Sequence, residues 1–158
     1  MDNYVQIREF LEELDSDEGF YEPSSLTYEE YLSMIEEIEV IKREIESLIG
    51  EELKINKNTQ DASFIAEIRV EEFMKTKDFP KGRSLPKLAI IFSNFGRLVS
   101  IGGSDPATLE RYPLDQIINL LLEHGFIHIP DHYLEQKYTG RHPLGGEQTW
   151  YERFFSYL

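Results

Sequence analysis

The last eighteen residues of the chain, RHPLGGEQTWYERFFSYL from Arg141 to Leu158, set a guanidinium (Arg141) and an imidazole (His142) beside a Gly-Gly turn. Together these groups can bind a phosphate through charge and backbone N–H donors, or shuttle a proton near neutral pH. The same stretch has a plainer reading. Thr149 can cap a helix, Glu152 three residues later completes a capping box, and Trp150, Phe154 and Tyr157 recur at spacings of four and three, with Phe155 and Leu158 as a second apolar edge. On that reading the tail is an aromatic helix that closes the core, and Arg141 and His142 belong to the loop before it.

Other residue types with chemical potential lose it on inspection of their neighbours. His124, His128 and His132 are four apart and would stack for a metal on one helix, but Gly125 and Pro130 interrupt any such helix, and no His-Glu-x-x-His pattern occurs. GGSDPA, Gly102 to Ala107, has the look of an anion-binding turn, yet it lacks a Walker lysine and a GxGxxG, and Asp105 before Pro106 is ordinary turn chemistry. The carboxylate pairs Glu12-Glu13 and Glu71-Glu72 read as solvated charge. The chain has no Cys, which removes thiolate catalysis, disulfides and Cys-based metal sites, and no GxSxG, SxxK or kinase-like set appears. No catalytic residue, cofactor or metal is therefore expected. A small hydrolase or transferase built on His142 and Arg141 is the alternative.

The elements that would position these residues follow from periodicity. Val5, Leu11 and Leu14 predict a short amphipathic helix over residues 3 to 14. A longer helix is predicted from an N-cap at Ser25 or Thr27, with Glu29 and Glu30 in its first turn, to a stop at Gly50. Its apolar stripe is Tyr28, Tyr31, Ile35, Ile38, Ile45 and Ile49, widened by Leu32, Ile41 and Leu48, and its opposite face is mostly Glu. That stripe is wider than a coiled-coil seam and suits packing on a sheet.

After Gly50 the period changes. Residues 64 to 70 alternate as a strand, KTKDFPKGRSLP reads as a loop holding the chain's one basic cluster (Lys75, Lys77, Lys81, Arg83), and Leu88 to Phe92 with Leu98 to Ile101 read as a hairpin. LDQIINLLLEHG is a third helix with Leu114, Ile117, Ile118, Leu121 and Leu122 on one face, and FIHIP is a short strand. The expected architecture is one α+β domain over residues 1–158, with an acidic helical part at 1–50 and the sheet and helices at 62–158. Its mainly antiparallel sheet of about four strands is packed with N-terminal, central and C-terminal helices and covered on one side.

Charge is concentrated at one end. Residues 1–60 hold 17 acidic against 5 basic side chains, a net of −12 of the total −14. Such a surface repels nucleic acid and anionic membranes and attracts basic partners. No basic-then-apolar leader and no run of 18 apolar residues occurs, so a cytoplasmic protein is expected.

In these features the chain resembles the small, acidic, Cys-free, single-domain α+β immunity proteins of bacterial polymorphic-toxin and contact-dependent inhibition systems. Its TWYERFFSYL, following YTGRHPLGG, is similar to the tail of TriTu-type immunity proteins, which neutralise ADP-ribosyltransferase toxins. The resemblance implies a protein that binds one cognate toxin domain, a basic one on the charge argument, and covers its active or target-binding site. The residues expected to meet it are Glu36, Glu37, Glu39, Glu44 and Glu46 on the long helix, and Asp15, Asp17 and Glu18 before it, with Arg141 and His142 as loop residues that could also touch the partner. A scaffold subunit whose long helix pairs with itself is a further reading.

Overall fold

A computed structural model describes residues 3–15, 28–57, 66–93, 97–139 and 148–155. Helix α1 spans Asn3–Leu14 and helix α2 spans Tyr28–Ile49, where the 3.6-residue period places them. Helix α2 stops because Gly50 takes φ +72°, a left-handed conformation that a residue with a Cβ avoids. Ser25 and Thr27, the expected caps, lie outside the described residues.

The strands are β1 (Lys54–Lys57), β2 (Ala66–Met74), β3 (Arg83–Phe92), β4 (Leu98–Gly102) and β5 (Ile127–His128). They form one sheet in the order β1-β2-β3-β4-β5, antiparallel except that β5 runs parallel to β4. A parallel neighbour needs a crossover, here supplied by helices α3 (Pro106–Leu109) and α4 (Leu114–Glu123). Helices α5 (Asp131–Leu134) and α6 (Trp150–Phe155) complete the order. The fold is α+β with a mainly antiparallel sheet, as the sequence predicts. The fifth strand is β1, whose sequence KINK is too short and polar to show an alternation.

Two boundaries differ from expectation for physical reasons. The β2–β3 ribbon continues through Glu71–Met74 paired with Arg83–Pro86, where a loop from Lys75 to Pro86 was predicted. Pro86 sits beside a bulge, where the register shifts between Val70 and Glu71 and leaves Lys87 as the extra residue, one of the few places at which a strand accepts proline. The sheet is also covered on both sides, not one. Ile68, Ile90, Phe92, Val99 and Ile101 pack against Tyr31, Ile35, Ile38, Ile41 and Ile45 of α2 and Ile117 and Leu121 of α4. A second cluster joins Leu11 of α1, Leu98, Ile129, Leu134 of α5, and Trp150, Phe154 and Phe155 of α6. Ile91, pointing opposite to Ile90 by the strand period, packs with this second cluster.

The terminal helix has its predicted cap, the Thr149 hydroxyl accepting the Glu152 N–H at 3.3 Å. Its attachment is tertiary: Thr149 bridges Lys137, the Trp150 N–H bonds the Gln136 carbonyl, and the buried Ser93 hydroxyl donates to the Phe154 carbonyl at 2.7 Å.

Candidate functional site

The long helix buries one stripe and shows the other, and the boundary is narrower than its apolar residues suggest. Tyr31, Met34, Ile35, Ile38, Ile41 and Ile45 are buried, whereas Tyr28, Leu32 and Leu48, expected in the stripe, are exposed, as is Val40. Leu32 and Val40 lie two turns apart on the outward face with Glu36 between them and Glu29 and Arg43 alongside, all exposed. Outside the core lies Leu122 of α4 too, at 58% exposure.

The predicted partner-binding carboxylates take different places. Glu36 is exposed, and Glu39 is half-buried. Glu37 and Glu44 are exposed and Glu46 is half-buried, and all three are engaged within the molecule: Glu37 accepts from Arg97 at 2.6 Å, Glu44 sits 2.9 Å from His124, and Glu46 accepts the Leu53 N–H at 2.9 Å and Lys42 at 3.1 Å. The Leu53 amide, then Lys42, holds the Glu46 carboxyl below its ordinary value against the opposing effect of burial. Asp15 is a correction. It is fully buried and accepts the Tyr138 hydroxyl from 123 positions away, so it ties α1 to the segment before α6 and cannot meet a partner. Asp17, Glu18, Arg141 and His142 lie outside the described residues.

Arg97 is the residue that sequence reasoning missed on this side. Its Nη2 donates to Glu37 and to the His124 carbonyl, both at 2.6 Å, its Nε donates to the Gly125 carbonyl at 3.2 Å, and the guanidinium lies 4.0 Å over the Phe126 ring. One side chain therefore joins α2 to the turn between α4 and β5. Gly125 takes φ +82° there, and a Cβ on it would sit 3.2 Å from the Arg97 Nε.

On the other sheet face, the part left open by α1, α5 and α6 is a groove of about 490 Å³. Pro86, Ala89 and Ile91 contribute an apolar floor, and Glu67, Asp131, Glu135 and Glu152 stand around it with Ser100 and Tyr151. Ser100 is buried and hydrogen-bonds Asp131, yet burial, then the charge of Glu135, pushes the Asp131 carboxyl above its usual range. Burial, then the charges of Asp131 and Glu67, likewise raises the Tyr151 phenol. Glu67 is paired with Arg69 at 3.3 Å. Five elements far apart in sequence make this groove, and in the sequence its residues show only as ordinary strand, turn and helix-cap positions.

The remaining motifs take structural places. The Asp105 carboxylate accepts the Thr108 hydroxyl at 2.8 Å and the Ala107 N–H at 3.3 Å, and both bonds hold it below the usual range. Glu71, read as solvated, is bonded by Lys54 at 2.9 Å and Arg69 at 2.6 Å, which lower its pKa to about 2. His124 closes α4, His128 lies in β5 with its pKa lowered by burial, and His132 stacks beside Tyr133 in α5, so the three histidines sit on separate elements. No described helix is long and apolar enough to cross a membrane. No family model, curated protein or solved structure matches the chain.

Proposed function

We propose that this protein is an immunity protein, a cytoplasmic inhibitor that binds a cognate, basic bacterial toxin domain and covers its active or target-binding site. The observation that carries the reading is the outer face of α2, where Leu32 and Val40 stand exposed beside Glu29 and Glu36 on a helix whose other face is packed. Apolar anchors flanked by the carboxylates of Glu29 and Glu36, with Arg43 alongside, suit a partner that presents an apolar patch with Lys or Arg at its edge. The acidic N-terminal third adds long-range attraction for the same partner.

A pull-down from the native cell with tagged protein, at low and then high salt, tests this directly. The expected result is a stoichiometric basic toxin domain released only by denaturant. The double variant Leu32→Arg with Val40→Arg alters two exposed positions, so it should fold normally and weaken the complex by about tenfold or more, since buried interface anchors contribute on the order of 1–2 kcal/mol or above. A variant that binds as tightly as the parent removes α2 as the contact surface; an empty pull-down with the toxin supplied removes the function.

A further inference from the structure

Opposite charge gathers in two other places on this chain. The β2–β3 ribbon runs past its neighbours, since β1 pairing ends at Arg69 and β4 pairing at Ala89, while β2 and β3 stay paired to Met74 and Arg83. Its tip is pre-organised. Thr76 and Phe79 exchange backbone hydrogen bonds at 3.2 Å, the Thr76 hydroxyl also accepts the Phe79 N–H, and the Phe73 ring lies so close over Gly82 that a Cβ there would fall 2.2 Å from it. The tip exposes Phe73 (65%), Phe79 (43%) and Met74 (40%). Lys75, Lys77, Lys81 and Arg83 surround them against one carboxylate, Asp78, and none of the four cations forms an ion pair among the described residues, while Arg83 stacks 4.2 Å over Phe79.

The acidic groove is the counterpart of this tip in both respects, with an apolar floor for a ring and a rim of Asp131, Glu135 and Glu152 for cations. Pro86 belongs both to the base of the ribbon and to the groove, so the two lie side by side, and the paired strands carry the tip away from its own chain's groove. Side-by-side complementary surfaces on one chain can be exchanged reciprocally, which closes a two-fold dimer and leaves no open end. We propose that the Phe73–Arg83 hairpin tip of one copy seats in the acidic groove of a second copy, and reciprocally, so that the protein self-associates through this sheet face. The repulsion between two chains of net charge −14 works against this at long range, but it is screened beyond roughly 10 Å at about 0.1 M salt, while the seated contacts are not.

Sedimentation of the full chain over a concentration series at moderate salt, without any toxin, tests the dimer independently of the inhibitor function. The expected result is a mass that doubles with concentration. Lys81→Glu with Arg83→Glu, and separately Glu135→Lys with Glu152→Lys, should each lose the dimer, and an equal mixture of the two should restore it, because each hairpin again meets a groove of opposite sign. Phe79→Ser, at an exposed tip position, should also lose it and tests the apolar part should a charge variant not fold. A wild-type chain that stays monomeric at every concentration, a dimer indifferent to these changes, or reversed variants that do not rescue one another would overturn the proposal.

Discussion

Among single residues, the carboxylates show how position decides role. Glu46 and Glu36 are alike in sequence, both glutamates on the polar side of α2, yet Glu46 closes the loop after the helix by accepting the Leu53 N–H and the Lys42 ammonium. Glu46→Ala leaves that amide without its acceptor and should cost about 1–2 kcal/mol at neutral pH. The sign with pH follows from the lowered carboxyl. A group whose folded pKa lies below its ordinary 4.5 stabilises the fold above that value, and the contribution is lost as pH falls through the folded pKa. Urea unfolding of parent and variant should therefore show a gap at neutral pH that narrows well below 4.5. A gap of constant size would show that the charge contributes nothing and that only the side chain's packing matters. Arg97 is the complementary case, a single cation satisfying one carboxylate and two carbonyls of a tight turn, and nothing in the local run FGRLVS distinguishes it from a solvated arginine.

At the level of elements, the two apolar clusters divide the molecule into α2, α4 and most of the sheet on one side, and α1, α5 and α6 on the other. Trp150 is the largest buried side chain and belongs to the second set, with its ring 5.6 Å from Phe154 and 4.8 Å from Tyr138. Truncation of such a ring leaves a cavity, so Trp150→Ala should cost about 3–5 kcal/mol. The loss should be felt locally first. Amide exchange should rise in α1, α5 and α6 while the paired centre of β2 and β3 keeps its protection, since local opening follows cooperative units of packing. Uniform loss of protection across both clusters would show instead that they unfold as one. The capping of α6 by Thr149 and the stop of α2 at Gly50 were both legible in the sequence, because caps depend on residues within one helical turn. The cover of the second sheet face was not, since what brings α1 and α6 to it, Leu11 in one cluster with Trp150 and Phe154, and Asp15 bonded by Tyr138, joins residues more than a hundred positions apart.

Over the whole molecule, the charge asymmetry bears on association and not on fold. With 17 acidic against 5 basic side chains in residues 1–60, the association rate constant with a basic toxin domain should fall by about tenfold or more from low to high salt, while dissociation changes little. Stopped-flow mixing across a salt series reads both rates, and a salt-independent association rate would leave the acidic third as solubility alone. The short helix α3 read as a turn, whereas legible in the residues alone were the α+β class, helices α1, α2 and α4, the hairpin strands, the terminal aromatic helix and its cap, and the location of the negative charge. These follow from patterns repeating every two or 3.6 residues and from composition, which need no knowledge of what packs where. Tertiary structure alone decided which carboxylates face outward, as Glu36 does, and which are held inside the molecule, as Asp15, Glu46 and Glu71 are. It alone also assembled the groove from β2, β3, β4, α5 and α6 and extended the ribbon beside it. The reason is physical: a charge's partner and its exposure are set by elements that chain packing brings together across tens of residues, a separation at which local spacing carries no signal.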